Sequence, residues 1–322
     1  MSNDDFVGMG IHASTLDKTD FEPAESPRNF GPCWRTYRAD GTSAVGSLHI
    51  CANGRLWSVT IRDITLADDM LLEFDQPGHL SVAWYESISG EEFTPYRKLR
   101  AKSVCGFYTG DDGWRGLVHE GVPIRSVAVE VSPEFAASFL ADAYPGRFST
   151  PARAFASIGR EDDYPELRDA LRALWPTPRS AEHDLAYYEE CVRHVLDLVV
   201  RRSLSAPPAE PRTVTADDRA RIFGISSYID DHYTHILKVP DLARIARMSP
   251  TKFKECFKAV TGCTLTQYIQ RRRISQAEQM LHQPSFSIEQ ISRAVGYTCV
   301  SRFSELFRRE TGLLPSEYRR GL

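Results

Sequence analysis

Two short runs of residues carry the chemistry of this chain. The first holds Thr251, Lys252, Lys254, Glu255 and Lys258; the second holds Val300, Ser301, Arg302, Glu305, Arg308 and Arg309. Placed on the outer face of a helix, these residue types recognise nucleic acid. Arg302 and Lys254 can donate to guanine, and Glu255 and Glu305 can accept from the cytosine amino group. Lys258, Arg308 and Arg309 come later in each run and suit phosphates, contacts that position a protein without specifying sequence. Any one of these side chains is equally explained as part of a solvated helix face. Their recurrence as a set on two copies of one motif favours base reading.

The elements that must position them are two related helix-turn-helix units. Copy one reads LARIARMSPTKFKECFKAVTG from Leu242, and copy two reads ISRAVGYTCVSRFSELFRRETG from Ile291. Phe253, Phe257, Thr261, Gly262 and Tyr268 recur 50 positions on as Phe303, Phe307, Thr311, Gly312 and Tyr318. The turn of copy two is one residue longer. In copy one, Leu242, Ile245 and Met248 form the apolar stripe of a first helix, and Ser249-Pro250 opens the second. In copy two the stripe is Ile288, Ile291 and Val295, followed by a turn at Gly296-Tyr297-Thr298. The phenylalanines are core, and Gly262 and Gly312 end the second helices. Between the copies, Thr264 to His282 reads as one helix, with Tyr268, Ile269, Ala277, Met280 and Leu281 inward. Its length of roughly 28 Å suits two recognition helices entering successive major grooves on one face of DNA, about 34 Å apart.

Residues from about Asp217 to Arg320 resemble the DNA-binding domain of the AraC/XylS family of bacterial transcription regulators. The resemblance rests on the closing run Gly312-Leu313-Leu314-Pro315-Ser316-Glu317-Tyr318-Arg319, on Val295-Gly296-Tyr297, and on Tyr268-Ile269, Arg273-Ile274, Ala277 and Met280-Leu281. It covers about a third of the chain. It implies seven helices, binding to double-stranded promoter DNA, and activation through contact with RNA polymerase. In such regulators an N-terminal cupin-like barrel often binds a small-molecule effector, and a nearby helix makes a homodimer. Two departures stand out. Leu265 replaces a frequent proline, kept as Pro315 in copy two. Glu255 and Glu305 replace basic or amide residues, which leaves the target sequence open.

Charge is distributed accordingly. From Thr215 to Leu322 there are 17 Lys and Arg against 11 Asp and Glu, and the remainder carries 22 against 32. A basic end on an acidic chain suits a protein with only one part on a polyanion. The N-terminus, MSNDDFVGMG, lacks the build of a signal peptide, and no apolar run reaches membrane-span length. A cytoplasmic protein is expected, with no membrane partner. Its seven cysteines are odd in number and lack zinc-type spacing, which argues against a disulfide framework and reads as small buried hydrophobes, with a redox-sensing thiol as the alternative.

The expected fold class is α+β: an N-terminal cupin-like antiparallel β-barrel with helices, then an all-α domain with two helix-turn-helix units. Residues 1–30 read as a loose arm, 31–202 as the barrel domain with helices from about 133, 203–214 as a Pro-rich linker, and 215–322 as the DNA-binding domain. Period-two alternation places Trp57, Val59 and Ile61 on one face, as it does Leu80, Val82 and Trp84, and Val127, Val129 and Val131. Asn53-Gly54 suits a type I′ hairpin turn. Gly110 to Gly113 reads as another turn. Pro133 and Pro165 open helices. A third helix, Ala181 to Arg202 with Ser180 as N-cap, carries the seam Leu185, Tyr188, Val192, Val195 and Val199. That seam packs either on its own barrel or on a second subunit. Trp57, Trp84, Phe107 and Trp114 are the aromatic candidates for a flat, apolar effector, set against a core role.

Other chemistry is poorly supported. Asp230, Asp231, His232 and His235, and the pair Glu190 and His194, read as solvated rather than as metal ligands. His49, His79 and His119 lack the local spacing of an enzymatic cupin. No phosphate-binding Gly-rich loop or Gly-x-Ser-x-Gly turn occurs. No cofactor, metal or enzymatic activity is expected. Three readings follow. The first is an effector-responsive activator. The second is a DNA-binding regulator whose N-terminal domain only dimerises or contacts a protein. The third, an enzyme fused to a DNA-binding module, would need convergent His and carboxylates in the barrel.

Overall fold

The computed structural model describes residues 19–74, 77–93, 96–109, 113–148, 150–155, 164–205, 214–282 and 285–320. Its contacts divide the chain into two units, Met1–Gly90 with Lys98–Pro211, and Glu91–Arg97 with Arg212–Leu322. The Gly110 to Asp112 part of the expected turn lies outside the described residues, as do residues 1–18 of the expected arm.

The first unit is built on an antiparallel sheet of seven strands. In chain order these are β1 (Glu22–Ala24), β2 (Trp34–Asp40), β3 (Ala44–Asn53), β4 (Trp57–Leu66), β6 (Leu80–Ser87), β9 (Ser103–Tyr108) and β11 (Ile124–Val131). Their spatial order is β1-β2-β3-β4-β11-β6-β9. A second sheet contains β5 (Met70–Phe74), β7 (Gly90–Phe93), β8 (Tyr96–Leu99) and β10 (Trp114–Val118), with β5 paired to β10. The expected antiparallel β-barrel is realised as two sheets and is not closed into a ring. Closure would pair the outermost strands with each other, whereas β1 and β9 end the larger sheet. Within the described part of the expected arm, Glu22 to Ala24 pair in register with Arg38 to Thr36.

Register aligns the three expected apolar sets. Val59 faces Val129 across β4 and β11, and Val129 faces Val82 on β6. Trp57, Val131 and Leu80 form the next row, and Ile61, Val127 and Trp84 another. This face is covered by α1 (Pro133–Ala143), α2 (Pro151–Ala154), α3 (Pro165–Arg172) and α4 (Leu185–Ser205), which together with it make one apolar cluster. Complete burial of a Val or Leu side chain here contributes roughly 2 kcal/mol. The β3–β4 turn differs from a two-residue Asn-Gly turn. Leu56 N–H donates to the Asn53 carbonyl at 3.0 Å, and Gly54 takes the positive φ of +52° at the second place.

The α4 seam is buried inside the chain. Tyr188, Val192, Val195 and Val199 are sealed in the same cluster, and Leu185 is half-buried against it. Helix α4 starts later and ends later than expected. Asp184 accepts from Tyr187 N–H at 3.0 Å at its start, while Ser180 sits in a short 3-10 turn, Pro178–Glu182. The helix runs through Ser205, so the first three residues of the expected linker are helical, and residues 206–213 lie outside the described ones.

The second unit contains seven described helices: α5 (Ala216–His232), α6 (Val239–Ile245), α7 (Pro250–Thr261), α8 (Leu265–Leu281), α9 (Ile288–Ala294), α10 (Val300–Thr311) and α11 (Pro315–Arg320). Hydroxyl caps start four of them. Thr215, Ser249, Thr264 and Ser287 accept from the backbone N–H three residues on, satisfying donors that a helix start leaves open. Gly262 and Gly312 end α7 and α10 with φ of +75° and +85°. Among the described residues, no helix is long and apolar enough to cross a membrane.

Candidate nucleic-acid interface

The two copies repeat in three dimensions as they do in sequence. In copy one, Phe253 and Phe257 are fully buried with ring centroids 5.6 Å apart, and Phe257 meets Tyr268 edge-on at 5.5 Å. In copy two, Phe303 and Phe307 lie 5.7 Å apart, and Phe307 meets Tyr318 edge-on at 5.4 Å. Thr261 and Thr311 each donate to the carbonyl one turn back, on Phe257 and Phe307. These rings pack the scaffold.

The first helix of each copy ends in a left-handed residue. Met248 N–H reaches the Ala243 carbonyl and Tyr297 N–H the Ser292 carbonyl, both at 2.9 Å, a closure that requires positive φ at the residue between. Copy two uses Gly296 at +89°; copy one uses Arg247 at +55°. This geometry corrects the stripe of copy one. Leu242, Ala243 and Ala246 are buried, Met248 is half-buried, and Ile245 is half exposed to solvent. At 100° per residue, Ala246 stands near Leu242 while Ile245 is carried off the buried arc. In copy two, Ile291 and Val295 are sealed and Ile288 is half-buried.

The candidate residues lie on the solvent side of their helices. Thr251, Lys252, Lys254, Glu255 and Lys258 are exposed on α7. Ser301, Arg302, Glu305, Arg308 and Arg309 are exposed on α10, and Val300 is half-buried at its start. Several are already engaged. Lys252 Nζ lies 2.8 Å from the Asp218 carboxylate of α5, and this bond raises the Lys252 pKa and lowers that of Asp218. Arg302 Nη1 donates to Glu305 at 2.9 Å, three residues along the helix. Arg309 donates to the Gln270 side-chain oxygen of α8 at 2.8 Å. Lys252 and Arg309 thus also brace their helices against neighbours. Arg302 and Glu305 form one exposed donor-acceptor pair.

The connecting helix α8 holds the copies together through residues whose roles were not assigned from sequence. Its 17 residues span about 26 Å. Arg273 donates to three carbonyls: Tyr233 at 2.7 Å, His235 at 2.9 Å and Gly296 at 2.9 Å. Arg272 is buried and donates to Asp230 at 3.0 Å and to Glu91 of the same unit, and Tyr268 also donates to Asp230. Asp230, considered for metal binding, is an internal acceptor instead. A guanidinium that satisfies several carbonyls leaves no local periodic signal. The run Arg271-Arg272-Arg273 looks like a phosphate patch until the tertiary structure turns two of the three inward.

Of the four aromatic candidates in the first unit, two lie in the core. Trp57 and Trp84 belong to the cluster beneath the helices, where Trp57 donates to Glu189 at 3.3 Å and Arg172 lies over the Trp84 ring. The pleat directs both to the helical side of the sheet. Phe107 and Trp114 stack at 4.7 Å with an interplanar angle of 15°. The histidines are dispersed. His49 contacts Thr36 Oγ1 at 2.8 Å, His119 contacts Ser89 at 2.9 Å, and His79 meets Phe74 edge-on. Among the described residues, no group of three or more His, Cys, Asp or Glu is arranged to hold a metal.

A helix-turn-helix domain model matches residues 242–321. The chain is 26% identical over 148 residues to the probable transcriptional regulator LumQ of Photobacterium leiognathi, covering 46% of this chain and 58% of that protein. It is 36% identical over 95 residues to the bifunctional transcriptional activator/DNA repair enzyme AdaA of Bacillus subtilis, covering 30% and 45%. It is 35% identical over 94 residues to the HTH-type transcriptional regulator ExsA of Pseudomonas aeruginosa, covering 29% and 34%. The chain thus spans between 34% and 58% of the length of these relatives. A solved transcriptional regulator of the AraC-type DNA-binding-domain-containing proteins, from Chromobacterium violaceum, is 26% identical, with 33% of this chain and 95% of that one covered at a TM-score of 0.31.

Proposed function

Because residues 242–321 form a helix-turn-helix domain of the AraC/XylS type, we propose that the chain is a sequence-specific DNA-binding transcription regulator, an effector-responsive activator acting at promoters through RNA polymerase. The observation that carries this reading is the duplicated scaffold with two different outer faces. Buried Phe, Gly and Tyr positions match, while copy one offers Thr251, Lys254 and Glu255 and copy two offers Ser301, Arg302 and Glu305. Exposed donors and acceptors recur at equivalent places, Thr251 with Ser301, Lys252 with Arg302 and Glu255 with Glu305, while Lys254 stands where copy two has Ser304. The operator is therefore two different half-elements about one helical turn apart, not a palindrome read by one chain.

Binding to a pool of promoter fragments, measured as salt is raised, tests this. Selected fragments share two unlike half-elements, and affinity falls steeply with salt. Equal binding to all fragments at physiological salt overturns the reading.

For the effector, the stacked Phe107 and Trp114 are the remaining aromatic pair. The Trp114 indole Nε1 is buried with no hydrogen-bond partner among the described residues. A flat, apolar molecule carrying an acceptor fits that donor. Thermal-shift screening of flat aromatic compounds, repeated with Trp114→Phe, tests it. The expected shift disappears in the variant, and a shift that persists assigns the compound elsewhere. A homodimer formed through α4 uses its outer face, since the seam is occupied within the chain.

A further inference from the structure

Two of the seven cysteines, 18 positions apart in sequence, meet on the β2–β3 ladder. Cys51 is fully buried in β3 and pairs across the ladder with Trp34. Cys33 is the residue before Trp34, in a turn closed by Trp34 N–H to the Gly31 carbonyl at 3.2 Å. Strands lie about 5 Å apart and rise about 3.3 Å per residue. Cys33 is thus the chain neighbour of the residue paired with Cys51, a placement of the order a disulfide spans, roughly 4.4–6.8 Å between Cα atoms. The turn frees Cys33 from strand alternation, and both cysteines pack in the apolar cluster beneath the helices.

Their surroundings differ in a useful way. Cys33 is half-buried and open to small solutes, while Cys51 is sealed from solvent. The neighbouring Cys51 thiol holds the Cys33 thiol below its ordinary pKa, with Arg35 contributing. The Cys33 thiol and burial push Cys51 up. A half-exposed, more acidic thiol beside a sealed one is the arrangement of an attacking and a resolving cysteine.

We propose that Cys33 and Cys51 are a peroxide-responsive dithiol that closes to a reversible disulfide. The Cys33 thiolate attacks one oxygen of hydrogen peroxide. The O–O bond breaks, hydroxide leaves and takes a proton to become water, and Cys33 becomes a sulfenic acid. The Cys51 sulfur then attacks the Cys33 sulfur. The S–S bond forms as the S–O bond breaks, and hydroxide leaves with the Cys51 proton as a second water. Two thiols are oxidised and one peroxide is reduced to two waters. The consequence reaches α4. Cys33 Sγ lies 3.9 Å from the His183 carbonyl, and a Cβ on Gly31 would meet that carbonyl at 2.7 Å. Closing the bond therefore acts on the segment that leads into this helix.

The other thiols set the comparison. Burial raises the pKa of Cys191, Cys256 and Cys263, and Cys299 is exposed at the start of α10. The full chain, reduced and then treated with equimolar hydrogen peroxide, is alkylated under denaturing conditions and digested without reductant. The expected product is a peptide pair joined through Cys33 and Cys51, with alkylated thiols falling from seven to five and returning to seven after dithiothreitol. Cys51→Ser accumulates a Cys33 sulfenic acid trapped by dimedone, and Cys33→Ser leaves Cys51 alkylated after peroxide. The proposal is overturned if both cysteines stay alkylated while Cys299 joins two chains, or if Cys33 in the unaltered protein passes to sulfinic acid with Cys51 untouched. The wild-type digest and Cys33→Ser decide the matter even where Cys51→Ser fails to fold.

Discussion

Arg273 Nη1 donates to the Gly296 carbonyl at 2.9 Å and so ties the connecting helix to the turn of the second copy. The same guanidinium holds the Tyr233 and His235 carbonyls just after α5. One side chain thereby links three backbone segments that carry or support recognition helices.

Replacing Arg273 by Lys keeps the charge and loses the fork. The expected cost is about 3 kcal/mol, because an ammonium cannot serve three carbonyls in this geometry. Urea unfolding of the full chain reads it. A variant as stable as the parent removes Arg273 from this role.

Gly296 is constrained from both directions. Its φ is +89°, and a Cβ there would meet the Thr234 carbonyl oxygen at 2.4 Å. Gly296→Ala is expected to lower stability by at least about 2 kcal/mol, from left-handed strain plus displacement of that backbone. Thermal unfolding checks the loss.

Arg247 gives the opposite sign. It holds a left-handed φ of +55° where copy two uses glycine, and its side chain is exposed. Arg247→Gly is expected to gain about 1 kcal/mol in a urea titration. A loss would mean that the Arg side chain supplies more than the backbone strain takes away.

On DNA, Arg302 and Arg308 separate specificity from attraction. Arg302→Ala should cost about 1–3 kcal/mol and relax base preference in one half-element only. Arg308→Ala should weaken all sequences alike and reduce the salt slope of log affinity by about 1. Selection from randomised half-elements distinguishes them; identical preference profiles for Arg302→Ala and the parent would refute the base-reading role.

His49 makes stability depend on pH. Burial first, and then the Arg38 charge, lower its pKa from 6.5 to about 4. As pH falls, the unfolded chain takes the proton before the folded one does. Stability from this group is full above about pH 6.5 and declines down to about pH 4, by up to roughly 3 kcal/mol. Urea midpoints at pH 7 and pH 4.5 measure the decline, and His49→Gln should flatten it.

Much was legible without coordinates, because the relevant signals are local and periodic. Spacing of 50 between Phe253 and Phe303, and between Gly262 and Gly312, reports a duplicated helix-turn-helix, since packing on a 3.6-residue helix repeats the same inward positions. Alternation placed Trp57, Val59 and Ile61 on one face for the same kind of reason. What alternation does not say is which face is which. The tertiary structure turned Trp57 and Trp84 toward the helices and left Phe107 stacked on Trp114. Strand pairing alone decides whether a sheet closes, and here its end strands remain apart.

Residue types and spacing by themselves determined one scaffold repeated twice, each copy with an outward polar face. Tertiary structure decided which charges remain available to a partner. Arg272 and Arg273 follow Arg271 in an unbroken basic run, yet carbonyls and carboxylates brought from far along the chain turn both inward. Those acceptors lie 23 to 181 positions away, among them Gly296, Asp230 and Glu91. The nearness of Cys33 to Cys51 has the same origin: it depends on strand register, which no local spacing encodes.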